Sequence, residues 1–294
     1  MSKLIVQIMG GIGNQLFTYA AARRLALVNH CELVIDDVTG FEHDLLYKRK
    51  SQMDKFNISC RTANNFERME PFSRVRNRIK QRINSYRSFT SRHFIFQESC
   101  DFDVRLLSFK LQGTTYLHGY WQSENYFKDI ETTIRSDLKI KPPLDQINLG
   151  ISKRINFDLA IAIHLRTFDK QNNDSIYNIK KSYYIQAIQR MESIAPGGHY
   201  YIFSEQQDLE CCFNLPSDRI TYVSHNIGDE NAYADLWLMM QCKHFIIANS
   251  TFSWWGAWLS NYEQKCVIAP NLKIKQGLTT WGFEGLLPAK WILI

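Results

Sequence analysis

The chain has no Cys-x-x-Cys pair. Its seven cysteines, at positions 31, 60, 100, 211, 212, 242 and 266, are scattered and odd in number. That pattern excludes a disulfide frame and a cysteine zinc site, and it reads as the reduced thiols of a cytoplasmic protein. A His-Glu-x-x-His motif is also missing, which removes the commonest zinc-hydrolase arrangement. No run of about 18 apolar residues exists, so nothing in the sequence is built to span a membrane. There are no internal repeats and no low-complexity segments. The net charge of +6 suits an anionic ligand or a membrane surface but is too mild to demand nucleic acid. No reading helix or aromatic-basic ribonucleoprotein pattern supports a nucleic-acid role either.

What is present is enough for a sizeable core. The 294 residues are 45% hydrophobic and 22% charged, consistent with two domains of ordinary size. Aromatics make up 13% of the chain; most aromatics are core, and some bind rings, sugars or bases. The first residues, MSKLIVQIMGGIGNQLFTYAAA, have the outline of a short signal peptide. Asn14-Gln15 interrupts the apolar run, however, and Ala20–Ala22 leads straight into Arg23-Arg24. The pattern predicts strand, loop and helix instead.

Residues 3–9 predict a strand, Gly10-Gly11-Ile12-Gly13 a turn, and Asn14–Asn29 a helix whose stripe holds Leu16, Phe17, Ala20, Ala21, Leu25 and Val28. Glu32–Ile35 is the next strand. This is a β-loop-α-β unit, the beginning of a parallel sheet. Residues 40–110 look irregular, and Tyr116–Gln122 is a strand. Two prolines and a glycine make 141–150 (KPPLDQINLG) the best linker candidate. A second alternation follows, with strands at 159–164, 199–203, 219–223, 244–248 and 265–268. Helices are expected at 182–191, 231–241 and 253–259. The chain therefore reads as α/β, with two doubly wound, Rossmann-like parallel-sheet domains over 1–145 and 146–294.

Four constellations fall at the carboxyl ends of strands or on helices nearby, where such sheets bind ligands. Gly10-Gly-Ile-Gly-Asn-Gln15 follows a strand and opens a helix, but it lacks the third glycine of a dinucleotide fingerprint and the Gly-Lys-Ser/Thr of a P-loop. Its plainer reading is a turn needing glycine's positive φ, with Asn14 as a helix N-cap. The functional one is a backbone that approaches a ligand closely while Asn14 offers its amide. His164-Leu-Arg166 ends a strand. The alternating period puts positions 164 and 166 on one face, and a guanidinium fork matches phosphate oxygens. A lone histidine there is more often structural. Asp235 lies amid apolar residues of a helix. It either faces solvent or accepts from a fixed donor pair such as guanine N1–H and N2–H₂. Ala248-Asn-Ser-Thr-Phe-Ser-Trp-Trp-Gly-Ala-Trp258 brings a strand into a helix start, where free N–H groups and the Ser250 and Thr251 hydroxyls make an anion cradle. Taken alone it is an ordinary capped helix.

Together the segments GGIGNQLFTYAAARRLA, LHGYWQSENYF, IHLRTFD and DLWLMMQCKHFIIANSTFSWWGAWL resemble the bacterial α-1,2-fucosyltransferases of glycosyltransferase family 11, over roughly Lys3 to Pro270. The resemblance implies a GT-B-like architecture with two domains facing a cleft, a GDP-β-L-fucose donor, inversion at the anomeric carbon, and no cofactor or catalytic metal. It implies that Arg166 grips the β-phosphate and that His164 lies against the guanosine. Asp235 would read guanine, and Asn249, Ser250, Thr251 and Phe252 would border the pyrophosphate. Gly11 and Gly13 complete the donor loop. Asn14 would stand beside the fucose near the leaving oxygen. The acceptor, a terminal β-galactoside of an O-antigen or capsule unit, falls to the N-terminal domain, with Tyr120, Trp121 and Glu124 as contacts, and to the loop 171–180. Asp169 is the guess for a general base, against the plainer role of a salt bridge or loop cap; Asp36 and Glu124 are further carboxylates at loop positions. In one place the chain departs from the family's His-x-Arg-Arg-x-Asp block: Thr167 replaces the second arginine. Lys170 or the helix start at Ser250-Thr251 would then have to share the leaving charge.

Between Pro71 and Phe96 there are seven Arg or Lys and no acid, and Val75, Ile79 and Ile83 recur every four residues. This predicts a basic amphipathic helix around 74–92. The favoured reading is a solvated helix packed through its apolar stripe. The alternative is peripheral contact with anionic lipid at the inner face of the cytoplasmic membrane.

Overall fold

The computed structural model describes residues 2–42, 44–45, 47–169, 171–172, 175–204 and 215–294. The chain divides into two compact units, Met1–Lys141 with Glu284–Leu286, and Pro142–Phe283 with Leu287–Ile294.

The first unit holds β1 (Lys3–Gln7), α1 (Ile12–Val28), β2 (Glu32–Asp36), β3 (Arg61–Thr62), α2 (Ser73–Ser85), β4 (Phe94–Phe96), β5 (Thr114–His118) and α3 (Glu131–Asp137). Its strands form one parallel sheet in the order β3-β2-β1-β5-β4. Leu4, Ile5 and Val6 are buried on both faces of the sheet, as a parallel strand covered on both sides requires. α1 is buried around most of its circumference, with Leu16, Phe17, Ala20 and Ala21 fully enclosed. Arg24 closes its outer side by pairing with Asp129 at 2.8 Å. Near its end, Gly285 O accepts from Ser123 Oγ at 2.6 Å, and Glu284 O accepts from Phe102 N at 3.0 Å. These two bonds hold the late segment in the first unit.

The second unit holds α4 (Gln146–Phe157), β6 (Ala160–Leu165), α5 (Lys181–Ile194), β7 (His199–Ser204), β8 (Ile220–Val223), α6 (Ala232–Met239), β9 (His244–Ile246), α7 (Thr251–Leu259), β10 (Val267–Ala269) and β11 (Ile292–Leu293). Its parallel sheet runs β11-β10-β9-β6-β7-β8. All six residues of β6 are buried. α5 packs the expected stripe of Tyr183, Ala187 and Met191 against Ile161, Ile163 and Ile202 of this sheet. The Tyr183 hydroxyl donates to the carbonyls of Ile247 and Ile268, pinning α5 across two strands.

Several elements were not expected from the sequence. β3, β4 and β11 are edge or near-edge strands of two or three residues, too short to show a period. α4 starts inside the expected linker, because Asp145 accepts from Asn148 N at 2.8 Å and caps it. The strand after 114 ends at His118 rather than Gln122, since Gly119 has φ +137° and Trp121 φ +51°.

α2 reverses the expectation made for it. Among its residues only Ser73 and Asn84 are buried, while Val75, Ile79 and Ile83 are each more than half exposed. The apolar stripe is real, but it does not pack on the protein. Among the described residues no helix is long and apolar enough to cross a membrane.

Candidate functional site

In each sheet the order of strands reverses once, and each reversal opens a crevice at the carboxyl ends of the two strands beside it. In the second unit the reversal lies between β6 and β9. β6 ends in His164-Leu165-Arg166, and β9 runs on into Ala248-Asn249-Ser250 and α7. The two motifs that looked separate in sequence therefore meet at one edge. His164 Nδ1 and Ser253 Oγ are 2.9 Å apart, and the His164 ring lies 5.2 Å from that of Phe252, tilted by 47°. The Ser253 hydroxyl donates to Ser250 O at 3.3 Å, so Nδ1–H donates to Ser253 Oγ and Nε2 keeps its lone pair. Burial, helped by the nearby Arg166 charge, pushes the imidazole down to about 3. His164 is thus neutral at any working pH.

Ser250 caps α7, its Oγ accepting from Phe252 N at 3.3 Å. The first amides of α7 and their positive end are turned to this edge. Asn249 is fully buried. Its Nδ2 donates to Tyr177 O at 2.9 Å, and its Oδ1 is enclosed without a hydrogen-bond partner. Arg166 is half-buried, with its guanidinium carbon 5.5 Å from the Phe168 ring centroid. Thr167, half-buried, follows it directly. The loop beyond is stapled by Asn178, whose Oδ1 accepts from Phe168 N and Asp169 N at 2.9 and 3.0 Å. Asp169 Oδ1 accepts from Gln171 N and Asn172 N, both at 3.1 Å. Its visible work is that of a loop cap. Lys170 lies outside the described residues.

Asp235 stands in the first turn of α6, half-buried, and accepts from Asn226 Nδ2 at 2.7 Å. Asn226 is held by a reciprocal amide pair with Asn148, at 2.9 and 3.0 Å. Asn148 in turn donates to Asp145 at 2.8 Å and lies 3.1 Å from His225 Nε2. This chain was not read from the sequence, because Asn148 and Asn226 belong to no motif or period. α6 and α7 approach closely because position 256 is glycine: a Cβ there would collide with the Met239 side chain.

In the first unit the reversal lies between β1 and β5. The glycine loop follows β1, and Gly119-Tyr120-Trp121-Gln122 follows β5. The two segments join where Gln122 Nε2 donates to Asn14 Oδ1 at 2.8 Å. The positive φ expected of this loop belongs to Gly10, at +74°, where a Cβ would meet Asn14 Nδ2 at 2.9 Å. Gly11 has an ordinary φ of −69° and is itself the N-cap of α1. That corrects the N-cap role for Asn14, which is the third residue inside the helix, as Gly13 is the second. Gln15, not singled out in the sequence, is fully buried and fixes the loop. Its Nε2 donates to Gly10 O and Lys50 O, and its Oε1 accepts from Gln52 N.

Of the three expected acceptor contacts, Tyr120 is 36% exposed and Glu124 is half-buried on a single 3₁₀ turn. Trp121 is corrected: at 1% exposure it is a core residue, its ring edge-on to Tyr126 at 5.6 Å. It offers no face for stacking a sugar. A polar relay at the same strand ends was missed. His118 Nδ1–H donates to Gln7 Oε1 at 2.6 Å, and Gln7 Nε2 donates to Thr39 Oγ1 at 2.6 Å. Thr39 Oγ1 then donates to Asp36 Oδ2 in a short bond. Asp36 Oδ1 takes the amides of Val38 and Thr39. Burial raises the Asp36 carboxyl and lowers the His118 imidazole.

Residues 4–292 match the family described as Glycosyl transferase family 11. The chain belongs to glycosyltransferase family 11. Within reach of this transferase is an alpha-1,2-colitosyltransferase of Escherichia coli, 30% identical over 92% of either chain. An O-antigen biosynthesis glycosyltransferase of Escherichia coli, WbnK, is 27% identical over 93% of this chain and 98% of its own. Among solved structures, a mutant of Arabidopsis thaliana FUT1 in complex with GDP superposes with a TM-score of 0.53 at 12% identity, covering 95% of this chain and 71% of that one. That likeness speaks to the fold, which is GT-B-like with two parallel α/β domains.

Proposed function

We propose that this family 11 transferase moves L-fucose from GDP-β-L-fucose to the 2-hydroxyl of a terminal β-galactoside, with inversion and without a metal. The product would be a link in an O-antigen or capsule unit. The observation that carries the reading is the meeting of His164, Phe252, Asn249 and the capped start of α7 at the β6/β9 reversal, beside Arg166. A neutral imidazole, a permanent cation and the positive end of α7 make a site for a nucleoside diphosphate. Asp235, pre-set by Asn226, supplies the carboxylate for guanine. The α-1,2 linkage in one relative's name and the O-antigen role in another's support the linkage and the pathway class.

In this mechanism the acceptor oxygen attacks the anomeric carbon opposite the departing GDP. Negative charge grows on the β-phosphate, and Arg166 with the α7 N-terminus stabilises it. Such preorganised donors are the largest single contribution to catalysis of this kind. Asn14, held by Gln122 beside Gly11 and Gly13, orients the sugar near the leaving oxygen. Tyr120 and Glu124 border the acceptor. Asp169 Oδ1 accepts the amides of Gln171 and Asn172, which ties it to its own loop. An oxocarbenium-like transition state needs little base help, so Asp169 acts on the loop first. We infer that this work is done in the cytoplasm.

A second reading keeps the site and changes the sugar. The colitosyl relative at 30% identity favours a donor related to fucose but lacking a ring hydroxyl. Product analysis separates the two. GDP-fucose and GDP-colitose are each incubated with lactose and N-acetyllactosamine, with and without EDTA. A fucosylated product formed with EDTA present supports the first reading. Transfer from GDP-colitose alone overturns it, and loss of activity in EDTA overturns the metal-free mechanism.

A further inference from the structure

α2 is turned inside out. Its packed side is polar: Ser73 Oγ donates to Glu42 Oε2 at 3.1 Å, and Lys80 Nζ lies 4.2 Å above the Tyr116 ring. Asn84 Oδ1 accepts from His93 N and Phe94 N at 3.0 and 3.3 Å. At the helical step these residues share one face with Asn77. The opposite face carries Val75, Ile79 and Ile83, extended at either end by Phe72 and Tyr86. Their exposures are 54%, 53%, 51%, 73% and 83%. Arg74, Arg78 and Arg82 line one margin of this stripe and Arg76 the other, and α2 contains no acid. A water-exposed helix gains by burying its apolar side. Here the polar side is bolted to β4, β5 and Glu42, so the helix cannot roll to do so.

We propose that the Val75–Ile79–Ile83 face of α2 docks on an anionic membrane surface. The apolar stripe enters the boundary between headgroups and acyl chains, and the arginines lie in the plane of the lipid phosphates. Charge complementarity selects this occupant. A second copy of the chain would bring its own arginine rows against these, like against like. The inference stands on α2 alone and does not depend on which sugar is transferred.

The test is co-sedimentation of the full chain with phosphatidylcholine vesicles, with and without phosphatidylglycerol, at about 0.1 M salt. Two variants are compared, one with Val75→Ser, Ile79→Ser and Ile83→Ser, the other with Arg74→Gln, Arg78→Gln and Arg82→Gln. The unaltered chain should pellet with the anionic vesicles and stay in solution with neutral ones. Each variant should lose at least about tenfold of that partition, with its melting temperature and its turnover of a soluble acceptor unchanged. Failure of the unaltered chain to bind anionic vesicles overturns the proposal, as does undiminished binding by the arginine variant, which tests it even if the serine variant misfolds. A dimer that the serine substitutions convert to monomer also overturns it, because the stripe is then covered by a second copy.

Discussion

The two strand-order reversals are built alike and furnished differently. At the β6/β9 edge the equipment is a guanidinium, a neutral buried imidazole and the amide end of a capped helix. At the β1/β5 edge it is carboxamides, a glycine of positive φ, and a hydrogen-bond relay from His118 to Asp36. The first set is matched to fixed negative charge. The second is matched to hydroxyl groups, whose two-way hydrogen bonding suits amides and whose proton needs somewhere to go. Both sheets contain a strand-order reversal, and under the proposed function one would serve a fixed anion and the other hydroxyl groups, the difference lying in a few side chains after each strand.

The sharpest way to break this contrast is to remove the cation. Arg166→Ala should lower kcat by about 10²–10³-fold while the fold survives, because the side chain is only half-buried; steady-state kinetics beside a melting curve would show it. Near-full turnover would mean that the anion end is not where charge develops. Next comes Asp235→Asn, which keeps the shape but loses the charged acceptor. GDP affinity measured by calorimetry should fall about 10–100-fold, and inosine diphosphate should be penalised less.

On the hydroxyl side, Gly10→Ala forces a side chain into φ +74° and towards Asn14. A loss of about 1–2 kcal/mol of stability is expected from denaturant titration, with kcat reduced through the displaced Asn14. A last effect, of comparable size, concerns pH. His164 is near 3 when folded and near 6.5 when unfolded, so below 6.5 the unfolded chain holds a proton that the folded chain lacks. Stability is therefore full above that pH and falls as pH drops towards 3, by about 2 kcal/mol between 6.5 and 5. His164→Gln should flatten this part of the profile, and an unflattened profile would place the acid sensitivity elsewhere.

The site was more legible than the scaffold around it. His164, Arg166, Asn249, Ser250 and Thr251 stood out as candidates because they follow apolar strand runs, and the structure brings His164, Asn249 and the Ser250 cap to one sheet edge. Asn226, Gln15 and Gln7 did not, since a lone amide has no period and its partners are distant in sequence. Trp121 failed for the opposite reason: aromatic residues near a ligand loop are core as often as contact. α2 shows the limit of periodicity most clearly. The repeat of Val75, Ile79 and Ile83 established that they share a face, but the spacing of Ser73, Asn77, Lys80 and Asn84 is equally regular. Only the contacts with Glu42, Tyr116 and Phe94 decide which face is inward.

The return of Glu284–Leu286 to the first unit bears on how the chain is made. Ser123 and Phe102 wait for backbone partners that are synthesised after β6 to β10. A ribosome delivers the sheet of the first unit well before Glu284–Leu286. The first unit therefore makes these two bonds only after β6 to β10 of the second have been synthesised.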